Sequence, residues 1–91
     1  MRGPRHKRYL LLSSENAIGE EVRKELTHRI AKISPAMAKK AVWFEKALIV
    51  KTDNVDLPMV KAALQMRAGE VSLTPTLTSG SIGKLKKAVA G

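Results

Sequence analysis

The apolar positions divide the chain into short segments of two different periods. RYLLLS, residues 8–13, is a compact apolar run that predicts a strand, and Ser14, Glu15 and Asn16 break it. Ile18, Val22, Leu26, Ile30 and Ile33 then recur at spacings of four, four, four and three, the stripe of an amphipathic helix. Ser14 or Asn16 can cap it; Glu20 and Glu21 near its start and Arg29 and Lys32 near its end suit the helix dipole. Ser34-Pro35 ends the helix, because a residue before proline avoids the helical region. The same pair can open a short second helix through Met37 to Lys40, with Ser34 as cap and Pro35 in its first position.

AVWFE, residues 41–45, and ALIVKT, residues 47–52, predict two strands in a tight antiparallel hairpin around Lys46, with Trp43 and Phe44 on opposite faces. Asp53-Asn54 closes the second of them. Asp56 is the expected cap of the next helix, whose buried face is Leu57, Val60 and Leu64 and whose stop is Gly69. EVSLTPTLT, residues 70–78, alternates: Val71, Leu73 and Leu77 on one side, Ser72, Thr74, Thr76 and Thr78 on the other. Pro75 cannot donate to a ladder and places this strand at a sheet edge. A last helix spans about residues 81–90, with Ile82, Leu85 and Val89 on one face.

This order predicts an α+β domain of the ferredoxin-like (RRM-like) βαββαβ kind, an antiparallel four-stranded sheet in the order 4-1-3-2 with an extra C-terminal helix. Pro75 then falls on the fourth strand, which that topology puts at an edge. The central strands, however, are apolar on both faces: Leu10 and Leu12 against Tyr9 and Leu11, Leu48 and Val50 against Ala47 and Ile49. Strands of that kind are covered on both sides. The terminal helix is expected to cover part of the second face and a partner protein more, with Tyr9, Leu11, Trp43 and Ile49 as the candidates for partner packing.

The length of 91 residues allows one domain with a modest core. There is no cysteine, which excludes disulfides and thiolate metal sites. The longest apolar run, Tyr9 to Leu12, is too short for a membrane span or a signal-peptide core, so a soluble intracellular protein is expected. Net charge changes the picture most. Of the formal +9, residues 1–8 supply Arg2, Arg5, Lys7 and Arg8, and residues 84–87 supply Lys84, Lys86 and Lys87, with no acid in either stretch. A basic N-terminal arm and a basic C-terminal helix around a nearly neutral middle suit contact with a polyanion.

Catalytic chemistry is not indicated. His6 and His28 are far apart in sequence, Glu20, Glu21 and Glu25 read as a solvated helix face, and there is no phosphate-binding glycine loop, nucleophile elbow or metal-ligand spacing. An acylphosphatase-like hydrolase on this fold would need an arginine-bearing anion loop after the first strand, and SSENAI, residues 13–18, carries no arginine or glycine. Tyr9 has no aromatic counterpart on the third strand, so binding through phosphates is expected in place of base stacking. In SGSIGKLKK, residues 79–87, Ser79 and Ser81 with Gly80 between them stand where a helix start could hold an anion. A plain capped helix with exposed lysines explains the same residues equally well.

KRYLLL at residues 7–12, VWFEKALIVKTDNVDLPMVKAAL at 42–64 and LTSGSIGKLKKA at 77–88 resemble the opening strand, the hairpin with its following helix, and the closing strand with its basic helix in one family. That family is the small ferredoxin-like protein subunit of archaeal and eukaryotic ribonuclease P, ribonuclease P protein component 2. The resemblance covers nearly the whole chain, and its last motif is the most specific. It implies a subunit that is not an enzyme on its own. The catalyst is an RNA that removes the 5′ leader of precursor tRNA with magnesium bound to the RNA, and no cofactor is held by the protein. It further implies a larger TIM-barrel-like protein partner, ribonuclease P protein component 3, and a cytoplasmic location in an archaeon or a nuclear one in a eukaryote. The RNA-contact residues expected from resemblance and charge together are Arg2, Arg5, Lys7, Arg8, Ser79, Gly80, Ser81, Lys84, Lys86 and Lys87. A ribosomal or other ribonucleoprotein structural protein is the alternative that the same charge pattern allows.

Overall fold

The computed structural model describes residues 6–90, so Arg2 and Arg5 lie outside the described residues. The elements are β1 (Lys7–Ser13), α1 (Glu20–Ile33), α2 (Pro35–Lys40), β2 (Val42–Trp43), β3 (Ala47–Asp53), α3 (Leu57–Ala63), β4 (Arg67–Ala68), β5 (Val71–Ser72), β6 (Thr74–Ser79) and α4 (Ile82–Ala90). Four of the strands form one antiparallel sheet in the order β2-β3-β1-β6. The result is a mixed α+β fold whose layout is consistent with the ferredoxin-like expectation. No helix among the described residues is long and apolar enough to cross a membrane.

Several local expectations change. Helix α1 begins only at Glu20, with Gly19 at its N-cap and no side-chain cap; the Ser14 hydroxyl instead accepts from the Asn16 amide at 3.2 Å. Ser34 does cap α2, its hydroxyl accepting from Met37 N at 3.2 Å, and Pro35 opens that helix. Before α3, the Asp53 carboxylate takes the amides of Val55 and Asp56 at 2.9 and 2.7 Å, so the turn into the helix is organised by Asp53, three residues before the expected cap Asp56. The helix itself ends at Ala63, well before Gly69. Gly69, at φ +59°, sits instead in the two-residue turn of a small hairpin, β4–β5, where Arg67 pairs with Ser72 and Ala68 with Val71. A left-handed backbone in so tight a turn is what glycine permits. Two bonds tie this hairpin back to the body: Arg29 Nη1 donates to the Arg67 carbonyl and Asn16 Nδ2 to the Glu70 carbonyl, each at 2.8 Å.

The fourth strand of the sheet departs from simple alternation. Leu11 pairs with Leu77 but Leu12 with Pro75, so Thr76 is an extra residue, a bulge. Its hydroxyl donates to the Leu11 carbonyl at 3.1 Å and lies 3.3 Å from the Ser13 hydroxyl. The extra residue reverses the face of everything beyond it. Leu73 joins the helix-side core, whereas Leu77 comes opposite Leu11 on the other face and stays about half exposed. The expectation that Val71, Leu73 and Leu77 share a face therefore fails at Thr76.

Two apolar clusters sandwich the sheet. On one side Leu10, Leu12, Leu48 and Val50 meet Leu26 and Ile30 of α1, Met37 of α2 and Val60 and Leu64 of and just after α3, closed by Ala68, Val71 and Leu73. On the other side Leu11, Ala47 and Ile49 are covered by Leu85 of α4, with Tyr9, Val42, Phe44, Ile82 and Val89 around them.

Candidate nucleic-acid interface

Lys7 and Arg8 come close to the turn that opens the last helix because β1 and β6 are neighbours. Tyr9 pairs with Ser79, which places the start of β1 beside the Ser79-Gly80-Ser81 turn that leads into α4. Arg8 lies along this junction. Its Nη1 donates to the Lys7 carbonyl at 2.9 Å and lies 3.5 Å from where a Cβ on Gly80 would be. An added methyl would touch the guanidinium without displacing it, so Gly80 gives Arg8 room without being indispensable to it. The Ser79 hydroxyl accepts from Ser81 N at 3.1 Å and fixes the turn.

Helix α4 separates its two tasks by face. Leu85 is buried and Ile82 and Val89 half-buried against the sheet, while Lys84, Lys86 and Lys87 are exposed. At about 100° per residue Lys84 and Lys87 point away from the sheet and Lys86 lies on the helix flank. Lys7 is exposed and stands opposite Asp53 in the sheet register, so its neighbourhood is less positive than the sequence count suggests. The structure adds a cation to the row: Lys51 of β3 pairs with Tyr9 and is exposed. Only the sheet register, with Ile49 and Lys51 sharing a face, could have pointed to it from sequence.

The residues expected to meet a protein partner are redistributed. Leu11 and Ile49 retain 4% and 1% of their accessible surface and are closed off by α4 of the same chain. Trp43 packs on the helix side, under the Arg23 guanidinium, whose carbon lies 5.5 Å from the ring centroid. Its neighbour Phe44 takes the α4 side. Tyr9 remains half-buried at the open end of that side, next to Ser79.

The loop after β1 is occupied with structural bonds. Ser14 N donates to the Lys46 carbonyl at 2.9 Å and Ile18 N to the Glu45 carbonyl at 2.7 Å. The cleft beside it is lined by Ser13, Ser14, Glu15, Asn16, Glu70, Ser72 and Thr74, hydroxyls and two carboxylates with no cation. Such a lining repels an anion rather than cradling it. His6 is tied to Asn54 through its backbone, N to Oδ1 at 2.7 Å and O to N at 2.9 Å, and His28 is exposed on α1. Among the described residues no three acidic or histidine side chains gather as metal ligands. No family model matches this chain, and no curated protein matches it either.

Proposed function

We propose that this chain is an RNA-binding accessory subunit of a ribonucleoprotein of the ribonuclease P type, built on a ferredoxin-like domain. The observation that supports the reading best is that the start of β1, with Lys7 and Arg8, lies beside the Ser79–Ser81 turn leading into the lysine-bearing α4, segments about seventy residues apart in sequence that β1–β6 pairing brings together. Such a surface suits a phosphodiester backbone, which asks for spaced cations and hydroxyl or amide donors rather than a pocket. The RNA would carry the magnesium and the cleavage chemistry, and the protein would hold the RNA in place. A larger TIM-barrel-like protein subunit is the partner that the sequence resemblance implies.

The test is a reconstitution of precursor-tRNA cleavage at moderate magnesium from a catalytic RNA, the larger protein partner and this chain. The wild type is expected to restore cleavage. A variant with Lys84, Lys86 and Lys87 all changed to alanine is expected to need more magnesium. With five cations in contact, RNA binding should fall with salt at a log–log slope of about −4. A slope near zero removes the phosphate contact. Failure to restore cleavage beside a competent RNA and partner moves the ribosomal-type reading ahead.

A further inference from the structure

Lys61 differs from every other lysine of the described residues: it is half-buried, and the rest are exposed. It forms no hydrogen bond or ion pair among them. The half-buried arginines, Arg8 and Arg29, donate to the Lys7 and Arg67 carbonyls. Lys61 stands on α3 and lines a groove of about 290 Å³ between that helix and β6, with Gln65, Leu10, Pro75 and Thr78. Packing of the aliphatic stem on an apolar surface explains the burial. It does not give the ammonium a counter-charge, because no acid lines this groove.

The surrounding acids face other clefts. Residues 57–69 and 71–91 contain none. Asp56, at the N-cap of α3, is five residues before Lys61 and about 140° around the helix axis from it. With Asp53 it lines a cleft between α1 and α3. Glu15 and Glu70 line the cleft beyond Thr74. The floor of the groove is a free sheet edge, because β6 has β1 on one side only. On β1, His6 and Ser14 bond toward β3, the first to Asn54 and the second to Lys46. Bonding direction alternates along a strand, so Leu10 also faces β3, and its partner Thr78 points its N–H and C=O outward from the edge. Arg8 is two residues before Leu10 and Gly80 two after Thr78, so the Arg8 guanidinium that approaches Gly80 stands about 7 Å further along the same face.

We infer that the groove between α3 and β6 takes the backbone of an RNA strand, with Lys61 meeting a phosphate and Thr78 and Gln65 supplying hydrogen bonds beside it. The inference rests on the RNA-binding reading above and extends its surface from the Ser79–Ser81 turn to the helix side of β6. A cation without a counter-charge, exposed hydroxyl and amide groups and an outward N–H match what a phosphodiester asks of a protein. The run from Arg8 through Thr78 to Lys61 follows an edge, which suits a chain of phosphates better than a single ion. The acids beyond Thr74 set its other limit, since a phosphate carried past them meets Glu15 and Glu70.

Two measurements on the full-length protein with a short single-stranded RNA test this. The first is binding against salt concentration for the wild type, Lys61→Met and Lys61→Arg. Methionine keeps the packing of the stem and removes the charge. Lys61→Met is expected to bind about fivefold more weakly, with a salt slope shallower by about 0.7, and Lys61→Arg to keep the slope of the wild type. The second needs no variant: the lysines are acylated with an amine-specific reagent, with and without saturating RNA, and modification is read at each site. RNA is expected to protect Lys61, and inorganic phosphate at the same phosphate concentration is not. An unchanged slope in Lys61→Met, an equal loss in Lys61→Met and Lys61→Arg, or acylation of Lys61 at the same rate with RNA bound overturns the inference. Equal protection by inorganic phosphate overturns it too, in favour of a small-anion site. A wild type that binds no RNA overturns the RNA-binding reading itself, and the groove assignment falls with it.

Discussion

The two faces of the sheet are built to different standards. Leu11 and Leu12 are adjacent on β1 and both buried, yet Leu12 enters a core closed by three helices and a hairpin, whereas Leu11 lies under the single helix α4. The helix side fixes the fold. The α4 side carries fewer apolar contacts and bears exposed lysines on its outer surface. On the proposed reading those lysines meet RNA, so that changing them would alter binding at little cost to the fold.

The largest expected effect tests the stronger side. Leu12→Ala should cost about 3–4 kcal/mol, because a well-packed core closes poorly over the missing atoms. Denaturant unfolding measures it. Leu11→Ala should cost about 2 kcal/mol, since α4 is one short helix that can settle onto the smaller side chain. Equal losses from the two leucines would mean that the α4 layer is as firmly built as the other, and the contrast would disappear.

Smaller effects sharpen the picture locally. Thr76→Val keeps the shape of the bulge but removes the hydroxyl bond to the Leu11 carbonyl, for an expected loss of about 1 kcal/mol. Ser34→Ala removes the cap of α2 and should cost about 1 kcal/mol, a change confined to the helix side. Replacing Lys84, Lys86 and Lys87 by alanine should alter stability by no more than about 0.5 kcal/mol, since all three are exposed, while weakening RNA binding. A large stability loss in that variant would make the lysines part of the packing and not of an interface.

The sequence made the regular parts legible. The stripe from Ile18 to Ile33 gave α1, Ser34-Pro35 gave α2 with its cap, and Pro75 marked the edge strand. What escaped was parity and register. A bulge at Thr76 has no side-chain signature of its own, and one inserted residue was enough to send Leu77 to the other face. Two-residue strands such as β4 and β5 are too short for alternation to register, so Gly69 read as a helix stop when it serves a hairpin turn. Trp43 and Phe44 do take opposite faces, as neighbours on a strand must, but which face each takes depends on pairing with β3, and that pairing is a property of the fold. Of the candidate site, the cations could be named from composition. The approach of Arg8 to Gly80, and the addition of Lys51, required knowing which strands are neighbours.

That neighbourhood has a consequence in time. β1 is one of the two central strands, and both of its partners follow it in the chain: β3 some forty residues on, β6 nearly seventy. As the chain leaves the ribosome, Lys7 and Arg8 emerge long before the Ser79 turn and α4 exist. Pairing across such separations is slow, because the loop must close before its contacts can repay the lost freedom. A nascent chain, or one cut before Thr74, therefore has basic residues but not the surface they form together. Only a chain folded through α4 brings Lys7 and Arg8 beside the Ser79–Ser81 turn, and on the proposed reading only such a chain presents them together to an RNA.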